Sequence, residues 1–341
     1  MSGLLLAAGV AVVAVVWADA LVTALSQRGG GPVTSRVTHG LWRLSLVAMP
    51  PGTRSRTVEL VGPAVVAARA LVWLVGLWAG WLLVFSADPG AVVDASSRVP
   101  VDLGTRVYFV GFVLWTLGTG TYVPVGDGWE ILTAVASLQG FALITLGVTY
   151  LLQVLQAVTA ERQLAGVIDD LGGTPDGLVR QGWTGSGFDG LSSYVPSLVQ
   201  MIEVHGRRHQ AYPGLRYFRS AERRVALAPA LAALSEALLL LEHGVAPDVA
   251  PAPSTLRPLR RALDGFVVSL DHTPVRSSAA DPPLPDLAAL GAAGVPTAPP
   301  DALAAGAERA RHRRRALWGL VDASGWRWED VSAPGEAAAP P

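Results

Sequence analysis

Over the first 160 residues, apolar positions come in long unbroken runs instead of the one-sided stripes of a soluble helix. Residues 3–26 (GLLLAAGVAVVAVVWADALVTALS), 61–86 (VGPAVVAARALVWLVGLWAGWLLVFS) and 129–158 (WEILTAVASLQGFALITLGVTYLLQVLQAV) are each long enough to cross a hydrocarbon core, which takes about 20 helical residues. The first run competes with a cleaved signal peptide. It lacks a basic n-region, and its apolar stretch is longer than an h-region, so a true span is the expectation. The second run carries tryptophans toward its later end, where interfacial rings belong. Between the second and third runs, 105–124 (TRVYFVGFVLWTLGTGTYVP) has an apolar part, Val107 to Trp115, too short to cross. A short apolar helix followed by glycine and threonine predicts a re-entrant segment, because bare backbone at membrane depth is tolerated only in protein or beside a water-filled cavity.

Arginine placement orients the spans. Arg28, Arg36, Arg43, Arg54 and Arg56 lie in the loop 27–60, whereas 87–104 holds Asp88, Asp94 and Asp102 against Arg98. The expectation is an outside N-terminus, a re-entrant segment entering from outside, and a cytoplasmic region after residue 158. That second half is soluble in character. A helix leaves the third span and breaks at Gly172-Gly173. Residues 190–220 and 222–243 show helical apolar spacing (Leu191, Tyr194, Leu198, Met201; Leu227, Leu231, Leu234, Leu238, Leu241), with Pro213-Gly214 interrupting the first and Gly244 stopping the second. Residues 245–256 and 272–300 read as proline- and alanine-rich linkers. A last helix is expected over 301–322, with a disordered tail over 332–341.

Composition narrows the chemistry. Hydrophobic residues make up 51% and charged residues 16% of 341, well below the roughly 25% charged of a soluble domain. The net charge of −1 gives no global field toward nucleic acid. With no cysteine and every basic residue an arginine, thiolate sites, disulfides, Schiff-base lysines and Walker-type loops are excluded. There is no serine-histidine-aspartate order and no H-E-x-x-H, so an enzyme is not the expected class.

Thr116-Leu117-Gly118-Thr119-Gly120-Thr121, followed by Pro124 and preceded by a short apolar helix, resembles the selectivity filter of potassium channels, whose pattern is T-x-G-Y-G-D with a later proline. The resemblance covers about residues 60–158 and implies an all-α membrane protein: a tetrameric cation-channel pore unit with one extra N-terminal transmembrane helix and a helical cytoplasmic region. It implies a homotetramer in membrane lipid, with monovalent cations, potassium favoured, as permeant ions and no bound cofactor. By the resemblance, carbonyls of Thr116, Leu117, Gly118 and Thr119 and the Thr116 hydroxyl line the filter with Gly120, replacing the ion's hydration shell. The glycines permit backbone angles that a side chain penalises. The family's tyrosine and aspartate are here Thr119 and Thr121, so Trp115 and Tyr122 are the expected braces. A non-selective or sodium-permeable channel, and a non-conducting receptor or scaffold with a pore-like fold, are the alternatives. An ordinary Gly/Thr turn is the bland reading.

Gly140 and Gly147 in the third run are candidate gating hinges or sites of close packing. Asp19 and Arg69 lie inside the first and second runs, where ionisable groups are rare and paired. Counting at ~1.5 Å per residue from one side brings them to nearly one depth and predicts an intramembrane Asp19–Arg69 ion pair; separate snorkelling is the competing reading. His205 and His209, four apart, lack a third metal ligand. The cluster Arg207, Arg208, Arg216, Arg219, Arg223 and Arg224 is expected on a solvated face, or against anionic head groups or a nucleotide. The run Arg309, Arg311, Arg313, Arg314, Arg315 is expected on a solvated or lipid-facing helix. Gly185–Gly190 fits G-x-G-x-x-G but lacks a preceding strand, so it reads as a loop before a helix. The ligand or partner of the cytoplasmic region stays open.

Overall fold

The computed structural model describes residues 2–25, 31–38, 40, 60–211, 215, 218–270 and 275–333. The tail expected to be disordered lies outside the described residues from 334 on. The chain divides into two compact units, Met1–Arg43 with Ala64–Val154, and Leu44–Pro63 with Leu155–Pro341.

The first unit contains α1 (Gly3–Leu25), a short helix over 32–38, α2 (Val61–Phe85, whose first residues fall in the other unit), α3 (Leu103–Leu114) and most of α4 (Asp127–Asp170). Among the described residues, α1, α2 and α4 are the helices long and apolar enough to cross a membrane. At ~1.5 Å per residue the 44 residues of α4 extend roughly 66 Å, about twice a hydrocarbon core, so its last turns leave the apolar stretch. It opens with Asp127 and Glu130 at its positive end. It closes where Gly172 takes a φ of 132° and Gly173 N–H reaches back to Ile168 O, the six-to-one bond of a glycine-terminated helix.

Small residues let α1 and α2 approach closely. A Cβ on Gly9 would lie 2.7 Å from Gly80 O; one on Gly80 or Gly76 would lie 2.8 Å from the Val13 or Val16 side chain. Gly76 and Gly80 are four apart, the small-xxx-small spacing of membrane helix pairs. The helices enclose a core of Trp73, Leu77, Trp81, Phe85, Phe109, Val113, Leu114 and Leu143. One feature departs from an all-helical expectation: β1 (Val92–Asp94) and β2 (Tyr122–Pro124) form an antiparallel ribbon, pairing Val92 with Pro124 and Asp94 with Tyr122.

The second unit is helical: α5 (Pro175–Gly182), α6 (Leu191–Ala211), α7 (Leu227–His243), α8 (Pro253–Leu270), α9 (Leu287–Ala292), α10 (Pro300–Arg309) and α11 (Arg311–Ala323). Every residue of α7 from Leu227 to Leu241 is buried, because α5, α10 and α11 surround it. Gly244 caps α7 through its N–H to Leu240 O at 2.7 Å. Three expectations change here. A helix, α8, begins within the expected linker 245–256, its Leu256, Leu259, Leu263, Phe266 and Leu270 buried at helical spacing. The expected linker 272–300 contains α9. The single helix expected over 301–322 is two, turning at Ala310.

The basic residues expected in solvent are also partly interior. Arg314 makes a two-pronged pair with Glu236 at 2.8 and 2.9 Å, both side chains under 5% exposed. Arg313 donates to Ser235 and Asp264, and Arg223 to the carbonyls of Gly173 and Asp330. Arg224 pairs with Asp170 at 2.7 Å. These guanidiniums join helices. Arg216 and the side chain of His209 lie outside the described residues; His205 is buried, stacked on Phe266. No group of three metal-ligating side chains occurs among the described residues. Residues 185–190 form a loop, with Thr184 N–H on Gly187 O, that leads into α6.

Candidate functional site

The segment after α3 is held from both ends. Asp102 caps the start of α3, its carboxylate accepting Thr105 N–H at 2.7 Å, as N-cap aspartates do. At the other end Thr116 N–H bonds to Val113 O at 3.2 Å and Leu117 N–H to Phe112 O at 2.9 Å. That pair of bonds requires a left-handed residue between them, normally glycine. Here it is Thr116, with φ of 62°. A β-branched residue in this region is a genuine outlier, and such strain collects at functional sites.

Gly118 (φ 98°) and Gly120 (φ 64°) continue the pattern, while Leu117 and Thr119 are not among the positive-φ residues. The sign of φ therefore alternates over five residues, which breaks the up-and-down alternation of carbonyls along a strand. Among the hydrogen bonds of the described residues, none ends on the carbonyl of Thr116, Leu117, Gly118 or Gly120. The Thr116 hydroxyl donates to Trp115 O at 2.7 Å. Leu117 is 64% exposed, Thr119 half-buried.

Beyond the segment, Thr121 O accepts Ala95 N–H and Val125 N–H reaches Ala91 O, so the ribbon clamps the chain on both sides of β2. Tyr122 and Pro124 both lie in β2. The Tyr122 ring meets Tyr108 edge-on at 6.1 Å, and Tyr108 lies 4.3 Å from Phe112, against which Gly120 sits. Trp115 caps α3, half-buried, beside Gly111. Among the described residues, aromatic packing around the segment thus comes from the helix and the ribbon.

α4 supports the end of α3 directly. A Cβ on Gly140 would fall on the Leu114 carbonyl, 2.8 Å from its carbon and 3.0 Å from Cα. The close-packing reading of Gly140 is therefore what this geometry provides. Gly147 has open space around it, and α4 runs unbroken through both. Gln139 Oε1 accepts Trp17 and Trp81 indole N–H groups at 3.2 and 3.1 Å, tying α4 to α1 and α2.

The expected Asp19–Arg69 ion pair does not form. Asp19 is buried and accepts Val33 N–H at 2.8 Å, Thr34 N–H and hydroxyl, and Trp73 indole N–H at 2.9 Å. Arg69 is buried and donates to Thr38 Oγ1 at 3.0 Å and Tyr150 OH at 2.8 Å. Two physical reasons account for this. Trp73 stands one helical turn past Arg69 and takes the position opposite Asp19, so equal-depth counting missed by about 5 Å. The helix over 32–38 also presents its unsatisfied first N–H groups to the carboxylate. Asp19 thus acts as the acceptor at a helix N-terminus, where a negative charge is favoured. Thr34, Thr38, Trp73, Gln139 and Tyr150 were not singled out in the sequence; the signal for Gln139 was a polar amide inside an apolar run.

Comparison with known proteins adds one relative. The chain is 26% identical over 302 residues to the uncharacterized membrane protein YdjJ of Bacillus subtilis (strain 168), covering 89% of this chain and 88% of that one. No family model and no solved structure matches the chain. With three helices of spanning length and a membrane-protein relative along nearly its whole length, this is a helical membrane protein.

Proposed function

We propose that this chain is one subunit of a homotetrameric membrane channel for monovalent cations, with potassium the favoured ion and Thr116–Gly120 as its filter. The observation that carries the reading is the positive φ at Thr116, Gly118 and Gly120, alternating with Leu117 and Thr119, with carbonyls that accept no hydrogen bond among the described residues, at the end of a helix seated on α4. A backbone acceptor without a partner in lipid costs several kcal/mol. Those carbonyls therefore cannot face hydrocarbon; four copies about an axis would turn them to water and ions. α3 would aim its negative end at the same axis. The exposed face of α4, with Ile131, Leu138, Phe141 and Val148, would meet lipid or a neighbouring copy. The arginine-rich loop 27–60 would lie in the cytoplasm with the second unit, and the N-terminus outside.

Thr119 and Thr121, in place of the tyrosine and aspartate of the resembling pattern, favour as second reading a pore that also passes sodium. Purified protein in liposomes under opposing potassium and sodium gradients tests both. Potassium flux abolished by Gly118→Ala is expected; equal fluxes of both ions would support the second reading. Absence of any flux from a confirmed tetramer would refute conduction and leave a scaffold role.

A further inference from the structure

The second unit contains a cavity of about 770 Å³ between α7, α8 and α10, within the range of small-molecule sites. Its walls mix apolar surface, from Pro247, Ala250, Val268 and Ala302, with charged groups that are unevenly matched. Arg260 is paired with Glu242 at 2.7 Å and Arg313 with Asp264 at 2.8 Å. Arg309, the third guanidinium of the lining, has no carboxylate within pairing distance among the described residues.

Arg309's contact is a weak one. Its Nη2 lies 3.4 Å from Nδ1 and 3.5 Å from Nε2 of His243. Being nearly equidistant from both nitrogens, it lies along the lone pair of neither, and both distances are at the limit of hydrogen bonding. Burial, and then the Arg309 charge, hold the His243 ring below its usual pKa, so the imidazole beside Arg309 is neutral near pH 7. His243 is fixed in place because Gly306 leaves room for its ring. A carboxylate entering the cavity would offer Arg309 the charge-assisted, two-pronged acceptor that His243 does not.

We propose that this cavity binds a small organic carboxylate with an apolar body, its carboxylate on Arg309 beside His243 and its body against Pro247, Ala250, Val268 and Ala302. The site is independent of ion conduction, and so is its test.

The experiment uses the full chain purified in detergent and 2-naphthoate as probe, followed by saturation-transfer NMR against a micelle blank. Naphthoate should bind saturably, and the neutral 2-naphthamide at least tenfold more weakly. Arg309→Gln should weaken naphthoate at least tenfold, while Arg309→Lys retains part of the binding. Should Arg309→Gln lose its thermal transition, Val268→Trp decides, since it fills the cavity from an exposed lining position and should abolish binding with all charges kept. Equal binding of naphthoate and naphthamide, or undiminished binding in Arg309→Gln or Val268→Trp, would overturn the proposal. Inorganic phosphate displacing naphthoate at equal concentration would overturn the apolar-body assignment.

Discussion

Gly140 and Gly147 lie in the same helix and should respond differently to alanine. On Gly140 the new Cβ would sit on the Leu114 carbonyl and 2.8 Å from its carbon, against the 3.5–4.0 Å of an ordinary carbon contact. α3 must then move away by roughly 1 Å. It cannot do so freely, because Trp78 Nε1 holds Val107 O at 3.1 Å and Arg106 donates to Pro89 O at 3.1 Å. Overpacking of this kind costs about 1–3 kcal/mol, more than the ~1 kcal/mol alanine gains over glycine in a helix. At Gly147 nothing lies within 4 Å, so only the propensity gain remains. Gly140→Ala should lower the thermal midpoint of the protein in detergent and Gly147→Ala should leave it unchanged or raise it. In the proposed channel the α3 displacement would also carry Thr116–Gly120 off position, so Gly140→Ala should lose cation flux. A Gly140→Ala protein as stable as the parent would refute the packing argument. A Gly147→Ala protein that is equally stable but non-conducting would instead place a hinge there.

Arg314→Leu should cost about 3–5 kcal/mol by stranding Glu236 in the interior, while the double change Glu236→Leu with Arg314→Leu should recover most of it; thermal unfolding of the four proteins of this cycle measures it. Asp19→Leu should destabilise more than Trp73→Phe, since it removes the acceptor of several donors at once whereas the indole is one donor worth about 1 kcal/mol; unchanged midpoints in both would sink the shared-acceptor picture. Thr116→Gly should raise stability by about 1 kcal/mol or more, because glycine takes the left-handed backbone without steric cost, while removing the hydroxyl that the proposed filter offers. Ser96 and Ser97 hydrogen bonds, the Ser96 hydroxyl foremost, hold the Asp94 carboxyl at about 2. The ordered 94–97 turn is therefore complete above the ordinary aspartate value of 3.8 and lost as pH falls through about 2, which amide shifts of Ser96 and Ser97 would follow; Asp94→Asn should remove the transition.

The spans were legible because run length and lack of charge decide them, and little else can make 20 apolar residues in a row. The helix stops at Gly172 and Gly244 were legible for a similarly local reason. What the sequence hid depends on partners distant along the chain. Leu256, Leu259, Leu263 and Phe266 carry a clear helical period, yet the prolines at 251 and 253 made 245–256 read as linker and the helix that begins there was not expected. Pro253 is in fact the first residue of α8, where a missing N–H costs nothing. Arg313 and Arg314 read as surface because charge alone cannot announce Ser235 and Glu236, 78 residues earlier. Asp19 and Arg69 were correctly marked as unusual, but besides Trp73 and Tyr150 of the spans their partners include Val33, Thr34 and Thr38 of a loop helix whose insertion no periodicity signals.

The site shows the same division. Gly118, Gly120, the short helix before them and Tyr122 as a brace were visible in the sequence, but Tyr108, Phe112 and the ribbon that carries Tyr122 were not. A tyrosine at position 119 would brace such a segment from within; threonine is too short to do so. The structure has its aromatic contacts elsewhere: Phe112 under Gly120, Tyr108 on Phe112, and Tyr122 on Tyr108. Tyr122 is in turn fixed by its pairing with Asp94 in the ribbon. The supports of Thr116–Gly120 among the described residues therefore include the ribbon as well as α3. Weakening the ribbon should loosen the segment without touching any residue in it, which is the behaviour expected of a brace and not of a filter.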